Sequence, residues 1–379
     1  MDINELRENI DKIDDEIVKL FTERMKTAEG IAAYKRENNM PVGDKIRERE
    51  IIARQTRDMD DEMAGYTKIL FNTLFDVSRS YQNRRITRDS LLAAKIENAL
   101  KNTPQLFPQS AVIACQGTEG ANSQIACDKL FSRPQIMYMS SFGGVIRAVQ
   151  NNLCRYGILP IENNVYGSVT DVYDLMKKHQ FHIVRSIKLR IHHVLLAKSG
   201  VSLSEIREIY SHEQALGQCS EFLSKYPNIK VTVCENTAVA AKYVAESERR
   251  DIAAISSKNC AELYGLSILS EDIQNSDNNY TRFICISKEL EIYPGANKLS
   301  LMFTLSHRPG SLYDLLSKFS ALGLNMTKLE SRPMPGKDFE FTFYIDMEAS
   351  VYSKEVINLL AELENSPDQF VFLGSYSEL

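Results

Sequence analysis

The chain has 379 residues, 44% hydrophobic and 25% charged. That is an ordinary globular composition, too long for one typical core, so two or three domains are expected. Lys and Arg total 45 against 50 Asp and Glu, a net charge of −5. This balance gives no reason to expect a nucleic-acid partner, so an anionic ligand must be met by local clusters. No apolar stretch is long enough to span a membrane, and Met1–Asn9 lacks the basic and apolar runs of a signal peptide. The seven cysteines are scattered, with no C-x-x-C pair. They read as reduced thiols of a cytoplasmic protein, and no metal site is expected.

Residues 1–90 read as all-helical, with Gly only at 30, 43 and 65 and Pro only at 41. Ile3, Leu6, Ile10, Ile13, Ile17 and Leu20 alternate three and four apart. That spacing predicts a heptad seam on one long helix reaching about Asn38. A break follows at Asn38-Asn39-Met40-Pro41-Val42-Gly43. Asp44 is the expected cap of a second helix, to about Asp58, and a third runs from about Asp60 to Arg85. So long a helix needs a partner for its seam, which suggests an intertwined homodimer or a tetramer built from it.

Residues 91–110 form a linker, first helical, then broken at Pro104 and Pro108. Residues 111–288 alternate apolar runs with helical patterns. Strands are expected at 111–114, 156–161, 193–196, 230–233 and 252–255, in an α/β arrangement with a mostly parallel sheet and two lobes about a cleft. Residues 298–375 read βαββαβ: a strand over Leu299–Leu305, a helix to Ala321, strands over Asn325–Ser331 and Phe339–Asp346, a helix over Lys354–Glu364, and a strand over Phe370–Leu373. This is the pattern of a ferredoxin-like α+β module.

In the first segment Arg24 sits four residues after Leu20, where the seam calls for an apolar side chain. Burying an unpaired charge costs several kcal/mol, so an anion should face it. Lys35 lies about three turns on, near the same face. Arg7 is roughly a quarter turn away and is expected to serve another pocket, such as a partner chain's. Asp44, Arg47 and Glu48 share a face of the second helix, as Ser78 and Gln82 do on the third. Spacing alone also allows a solvated ion-pair ladder. Through Leu6-Arg7, Glu23-Arg24, Lys35, Pro41-Val42-x-Asp44-x-x-Arg47-Glu48, Ser78 and Gln82, the segment resembles the all-helical chorismate mutase family. The resemblance implies that Arg7, Arg24 and Arg47 bind the two carboxylates of chorismate. Lys35 and Gln82 then donate to its ether oxygen, while Asp44, Glu48 and Ser78 orient the hydroxyl. The rearrangement is pericyclic, needing a held conformer and stabilised negative charge rather than a nucleophile.

In the second segment polar clusters follow the expected strands: 116–123, Pro160-Ile161-Glu162-Asn163-Asn164 with Gly167-Ser168-Val169, Tyr210-Ser211-His212-Glu213-Gln214-Ala215-Leu216 with Gln218, Glu235-Asn236-Thr237, and Asn279-Tyr280-Thr281-Arg282-Phe283. Each alone suits turns and caps. Together, with Ile191-His192-His193, they resemble prephenate dehydratase, a two-lobed fold like the periplasmic binding proteins. The resemblance implies that Thr281 protonates the departing ring hydroxyl, networked with Glu162, Asn163, Ser211, Gln218 or Glu235. Ser168 joins the substrate-binding set. Arg282 reads either as a partner for a substrate carboxylate or as a structural ion pair. The first loop lacks the family's proline and aromatic, with Asn122 in the aromatic position, and Asn164 stands where the family has Ser. His179 and His212 read as structural histidines.

The third segment resembles an ACT domain. Gly310-Ser311-Leu312 at a helix start and Glu330-Ser331-Arg332 at a strand end match its phenylalanine-binding motifs. The whole resembles the bifunctional chorismate mutase–prephenate dehydratases, which implies the substrates chorismate and prephenate, no cofactor, and feedback inhibition by phenylalanine. Two alternatives remain: action on arogenate, or a lapsed ligand-sensing domain fused to an active mutase.

Overall fold

Long Pro-free runs become three helices in the first segment: α1 (Ile3–Glu37), α2 (Lys45–Gln55) and α3 (Asp61–Ile86), with Gly30 inside α1 and Gly65 inside α3. The structure is a computed structural model describing residues 2–38, 40, 43–86, 90–305, 307, 309–334, 340–365 and 369–379. Pro41 and Val42 of the mutase motif, and Phe339 at the start of an expected strand, lie outside these residues. The chain divides into two compact units. One comprises Met1–Lys95, Phe303–Asn325 and Tyr352–Val371; the other comprises Ile96–Met302, Met326–Val351 and Phe372–Leu379.

In the first unit α1 has 35 residues, about 52 Å at 1.5 Å per residue. Its C-terminal half buries Met25, Ala28 and Ala32, and α3 buries Ala64 and Phe75. Small residues on α1 permit close approach, which lets one helix supply a pocket wall to the other. The seam residues Ile3, Leu6, Ile10, Ile13, Ile17 and Leu20 are exposed. Asp44 caps α2, accepting the Arg47 N–H at 3.0 Å. A fourth helix, α4 (Leu91–Asn102), fills the first half of the expected linker. Its start is fastened by Ser90, whose Oγ accepts the Ala93 N–H at 2.9 Å, and by Glu364, which accepts from Ser90 Oγ at 2.6 Å.

In the second unit the chain runs β1 (Ser110–Gln116), α5 (Asn122–Leu130), β2 (Arg133–Met139), α6 (Phe142–Gln150), β3 (Tyr156–Asn163), β4 (Gly167–Ser168), α7 (Thr170–Lys178) and β5 (His182–Arg190). It then enters a second lobe with β6 (Val194–Ala197), β7 (Glu208–Ser211), α8 (Glu213–Gln218), α9 (Ser220–Ser224), β8 (Lys230–Val233), α10 (Thr237–Glu246), β9 (Ile252–Ser256), α11 (Asn259–Tyr264) and β10 (Ser267–Ser270). It returns to the first lobe as β11 (Tyr280–Ser287). The two sheets have the orders β2-β1-β3-β11-β5, with β4 on β3, and β10-β6-β9-β7-β8. Each has its own cores, such as Ala114, Val145, Leu159 and Ile284 in one lobe and Leu196, Ala240, Ala254 and Cys260 in the other.

A mostly parallel sheet was the sequence expectation, and both sheets are mixed. β1 pairs in parallel with β2 and β3, but β11 is antiparallel to β3 and to β5. β6 is antiparallel to β9 and β10. The reason is topological: a strand returning directly from the other lobe has no crossover helix to reverse it.

The last segment supplies β12 (Lys298–Thr304), α12 (Ser311–Ala321), β13 (Asn325–Pro333), β14 (Phe341–Glu348), α13 (Lys354–Glu364) and β15 (Gln369–Tyr376). Its four strands have the order β13-β14-β12-β15, the arrangement of a split βαβ module.

Candidate functional site

A cavity of about 320 Å³ opens among α1, α2 and α3. Arg24, Lys35, Asp44, Arg47, Glu48, Ser78 and Gln82 all line it, with Phe75 and Arg79. Arg24 is half-buried; its guanidinium donates to the Leu74 carbonyl at 3.2 Å and lies 5.8 Å from the Phe75 ring centre. Burial lowers its pKa from the usual arginine value, a sign that the cation sits partly out of water. Ser78 and Gln82 are buried, and Gln82 Nε2 donates to Ser78 Oγ at 3.2 Å. Gln82 Oε1 is buried without a hydrogen-bond partner. A half-turn of the carboxamide would let the Ser78 hydroxyl donate to that oxygen and release the NH2 group into the cavity. Arg79 was missed by sequence reasoning; it binds both Glu48 and Asp76. Its only sequence signal is its place three residues after Asp76 and one after Ser78. Arg7, on the exposed half of α1, does not line this cavity.

The second cavity, about 510 Å³, lies between the two lobes of the α/β unit. Asn163, Ser168, Gln218, Glu235 and Thr281 line it, as do Gln116, Asn122 and His193. The starts of α5, α7 and α10 reach its wall through Asn122, Thr170 and Thr237. At the centre, Asn163 Nδ2 donates to Thr281 Oγ1 at 2.9 Å and to Asn279 Oδ1 at 2.8 Å. Asn163 Oδ1 accepts the N–H groups of Val165 and Tyr166 at 2.9 and 3.0 Å. Those two donors fix the amide, because the face meeting backbone N–H groups must be oxygen. Thr281 Oγ1 therefore accepts from Asn163, and its own proton is left to point elsewhere. His193, which sequence reasoning left out of the site, is buried and lies 2.6 Å from Gln218 Oε1 through Nε2. Burial lowers its pKa, outweighing the Gln218 hydrogen bond, so it is neutral at pH 7.

The family description chorismate mutase type II matches residues 6–83, and prephenate dehydratase matches residues 113–291. The bifunctional chorismate mutase/prephenate dehydratase of Escherichia coli strain K12 is 31% identical over 384 aligned residues, covering 98% of this chain and 95% of that protein. This chain belongs to the bifunctional chorismate mutase/prephenate dehydratase family. An arogenate dehydratase/prephenate dehydratase of Arabidopsis thaliana is 36% identical, covering 79% of this chain and 81% of that one. A solved prephenate dehydratase from Arthrobacter aurescens, in complex with L-Phe, is 29% identical with a TM-score of 0.64, covering 70% of this chain and 90% of that one.

Three dehydratase residues expected at the site stand outside the cleft wall. Arg282 is 5% exposed and is committed to Glu162 at 3.0 Å, Asp346 at 2.7 Å, Glu378 at 3.1 Å and the Tyr376 hydroxyl at 2.7 Å. Its expected contact with a substrate carboxylate is corrected to the structural ion pair. Glu162 is occupied by Arg282 and Lys328. Burial alone would raise its pKa, but Lys328 and Arg282 outweigh burial and hold it below the usual carboxylate value. It does not line the cleft, so its expected place in the catalytic network around Thr281 is corrected to the ion network with Arg282 and Lys328. Ser211 is fully buried and donates to the Ile255 carbonyl at 2.7 Å, holding β7 beside β9. His212 lines the cleft and also caps α8, its Nδ1 accepting from Gln214 N at 3.3 Å.

Of the residues expected to sense phenylalanine, Gly310 precedes α12 with a φ of +85°, and Ser311 and Leu312 begin that helix. Glu330, Ser331 and Arg332 lie on β13. Glu330 accepts from Ser168 Oγ at 2.6 Å, and Arg332 meets Asp174 at 2.9 Å. Thus β13 touches the cleft wall directly through Ser168.

Proposed function

We propose that this chain rearranges chorismate to prephenate in the helical cavity and converts prephenate to phenylpyruvate, carbon dioxide and water in the cleft. The observation that carries this reading is the convergence of seven expected polar residues from three helices on one cavity. In the mutase, Arg24 and Arg47 take the carboxylates. Lys35 and Gln82 stabilise negative charge growing on the ether oxygen, and Asp44, Glu48 and Ser78 orient the hydroxyl. Arg79 holds Glu48. Arg7 completes the cavity of a second copy, and the exposed seam Ile3 to Leu20 supports a homodimer through α1.

In the dehydratase, the ring carboxylate leaves as CO2, and its bonding pair aromatises the ring as the hydroxyl departs. Thr281 supplies the proton that turns the departing hydroxyl into water. The hydrogen bond donated by Asn163 stabilises the Thr281 oxygen as its proton moves, which makes the hydroxyl a better acid. No Lys or Arg is among the described residues lining the cleft. We assign the substrate carboxylates to helix starts and the side-chain amides of Gln218 and Asn122. Glu235 and Asp171 in the same wall favour a second reading, in which the ammonium of arogenate is accepted as well.

The last segment is read as an ACT domain through which phenylalanine inhibits. Glu330 of its motif is bonded to Ser168, so a ligand competing for Glu330 would release the cleft wall. The seven free thiols suit a cytoplasmic protein. The test is to supply purified protein with chorismate and follow prephenate and phenylpyruvate, with and without phenylalanine, and to compare turnover of prephenate and arogenate. Failure to form prephenate would overturn the mutase reading; failure to consume it would overturn the dehydratase reading.

A further inference from the structure

We propose that Asn164 is a positioning residue of the dehydratase, holding Thr281 in register with Asn163. The inference rests on the reading of Thr281 as the acid. Asn164 follows β3, and its backbone N–H donates to the Tyr280 carbonyl at 3.0 Å. Its side chain makes two further bonds: Oδ1 accepts the Tyr280 N–H at 2.8 Å, and Nδ2 donates to the Asn278 carbonyl at 2.7 Å. One residue thus clamps 278–280, the three residues before Thr281.

The clamp has a reason to exist. The β3–β11 ladder pairs Thr281 with Asn163 and Arg282 with Glu162, then slips, so that Phe283 faces Pro160. The extra residue is Ile161, so the irregularity lies in β3, the strand that carries Asn163. On the β5 side Thr281 sits in a regular ladder, Tyr280 to Cys285 pairing with Arg190 to Arg185, whereas on the β3 side pairing is regular only at Thr281 and Arg282. Asn164 extends the short β3-side pairing past Thr281, at Tyr280 and Asn278. The same clamp sets Asn279, whose Oδ1 is the second acceptor for Asn163 Nδ2. A shorter Ser, expected at this position from the family pattern, carries one hydroxyl and has no second polar atom to reach both Tyr280 and Asn278.

Asn164 is exposed, so its bonds add little to stability. Their consequence lies in geometry, because a displacement of about 1 Å at a proton donor can cost up to about 100-fold in rate. The test uses the full chain and reads dehydratase and mutase turnover together. Asn164→Ala should lower the dehydratase kcat by about tenfold, with KM within about threefold and mutase turnover unchanged. Adding Asn164→Ala to Asn163→Ala should cost less than about twofold more, because both act through one arrangement. Should Asn164→Ala fail to fold, Asn164→Asp keeps the acceptor for Tyr280 and loses the donor to Asn278, and it should fall between the two. A kcat within about twofold of the parent, or a full multiplication of the two single effects, would overturn the proposal. Thr281→Ala serves as reference: if it too leaves phenylpyruvate formation intact, the reading of Thr281 fails instead.

Discussion

Asn163 Nδ2 lies 2.9 Å from the hydroxyl oxygen of Thr281, with its own oxygen held by two backbone N–H groups. The relationship makes Thr281 an acceptor toward Asn163, and in the reading proposed above its own proton goes to the substrate. Thr281→Ala should therefore lower phenylpyruvate formation by ~10²–10⁴-fold, while Thr281→Ser retains much of it. Mutase turnover in the same preparation should be unchanged, which separates lost chemistry from lost folding.

For the mutase, Arg24→Ala and Lys35→Ala should each lower prephenate formation by ~10²–10³-fold with the dehydratase intact. Equal loss of both activities would mean unfolding instead. The native Gln82 donates at any physiological pH. Gln82→Glu donates only while protonated, so mutase activity of that variant should fall as pH rises, and a pH profile checks the sign.

The network around Glu162 predicts a pH-dependent stability. The folded pKa of Glu162 is lowered, the charges of Lys328 and Arg282 outweighing the opposing effect of burial. Its contribution is present above the unfolded carboxylate value of about 4.3 and is lost as pH falls through the folded value. Glu162→Ala should cost about 2 kcal/mol at pH 7, because Arg282 and Lys328 each lose a charged hydrogen bond while Asp346 and Glu378 still neutralise Arg282. The cost should shrink below pH 4. Denaturant midpoints across pH would show this, and a cost independent of pH would contradict it.

The exposed α1 seam and the distant Arg7 predict complementation. Arg7→Ala and Arg24→Ala chains should each lack mutase activity alone. Co-refolded, half the cavities in mixed dimers have both arginines, so about a quarter of the parent activity should return. No recovery would place Arg7 outside the partner's cavity.

Periodicity, breaks and caps located the helices of the first and last segments, and α13 falls on the expected Lys354–Glu364. It also singled out Arg24, because a cation in an apolar seam needs a counter-charge wherever the helix packs. The three strand-borne corrections share one cause. Motifs name neighbours in sequence, whereas successive side chains on a strand point to opposite faces. Thr281 and Asn163 face the cleft, while their neighbours Arg282 and Glu162 turn away into an ion network. Which face becomes cleft and which becomes core depends on what packs there from distant chain, such as Asp346 and Lys328, and on a bulge at Ile161 that no local spacing encodes. The sequence thus determined the element types through residue period, and its motifs carried the resemblance that implied the reactions. Tertiary structure decided which polar residues meet the cleft, because that depends on register and on contacts between segments far apart in the chain.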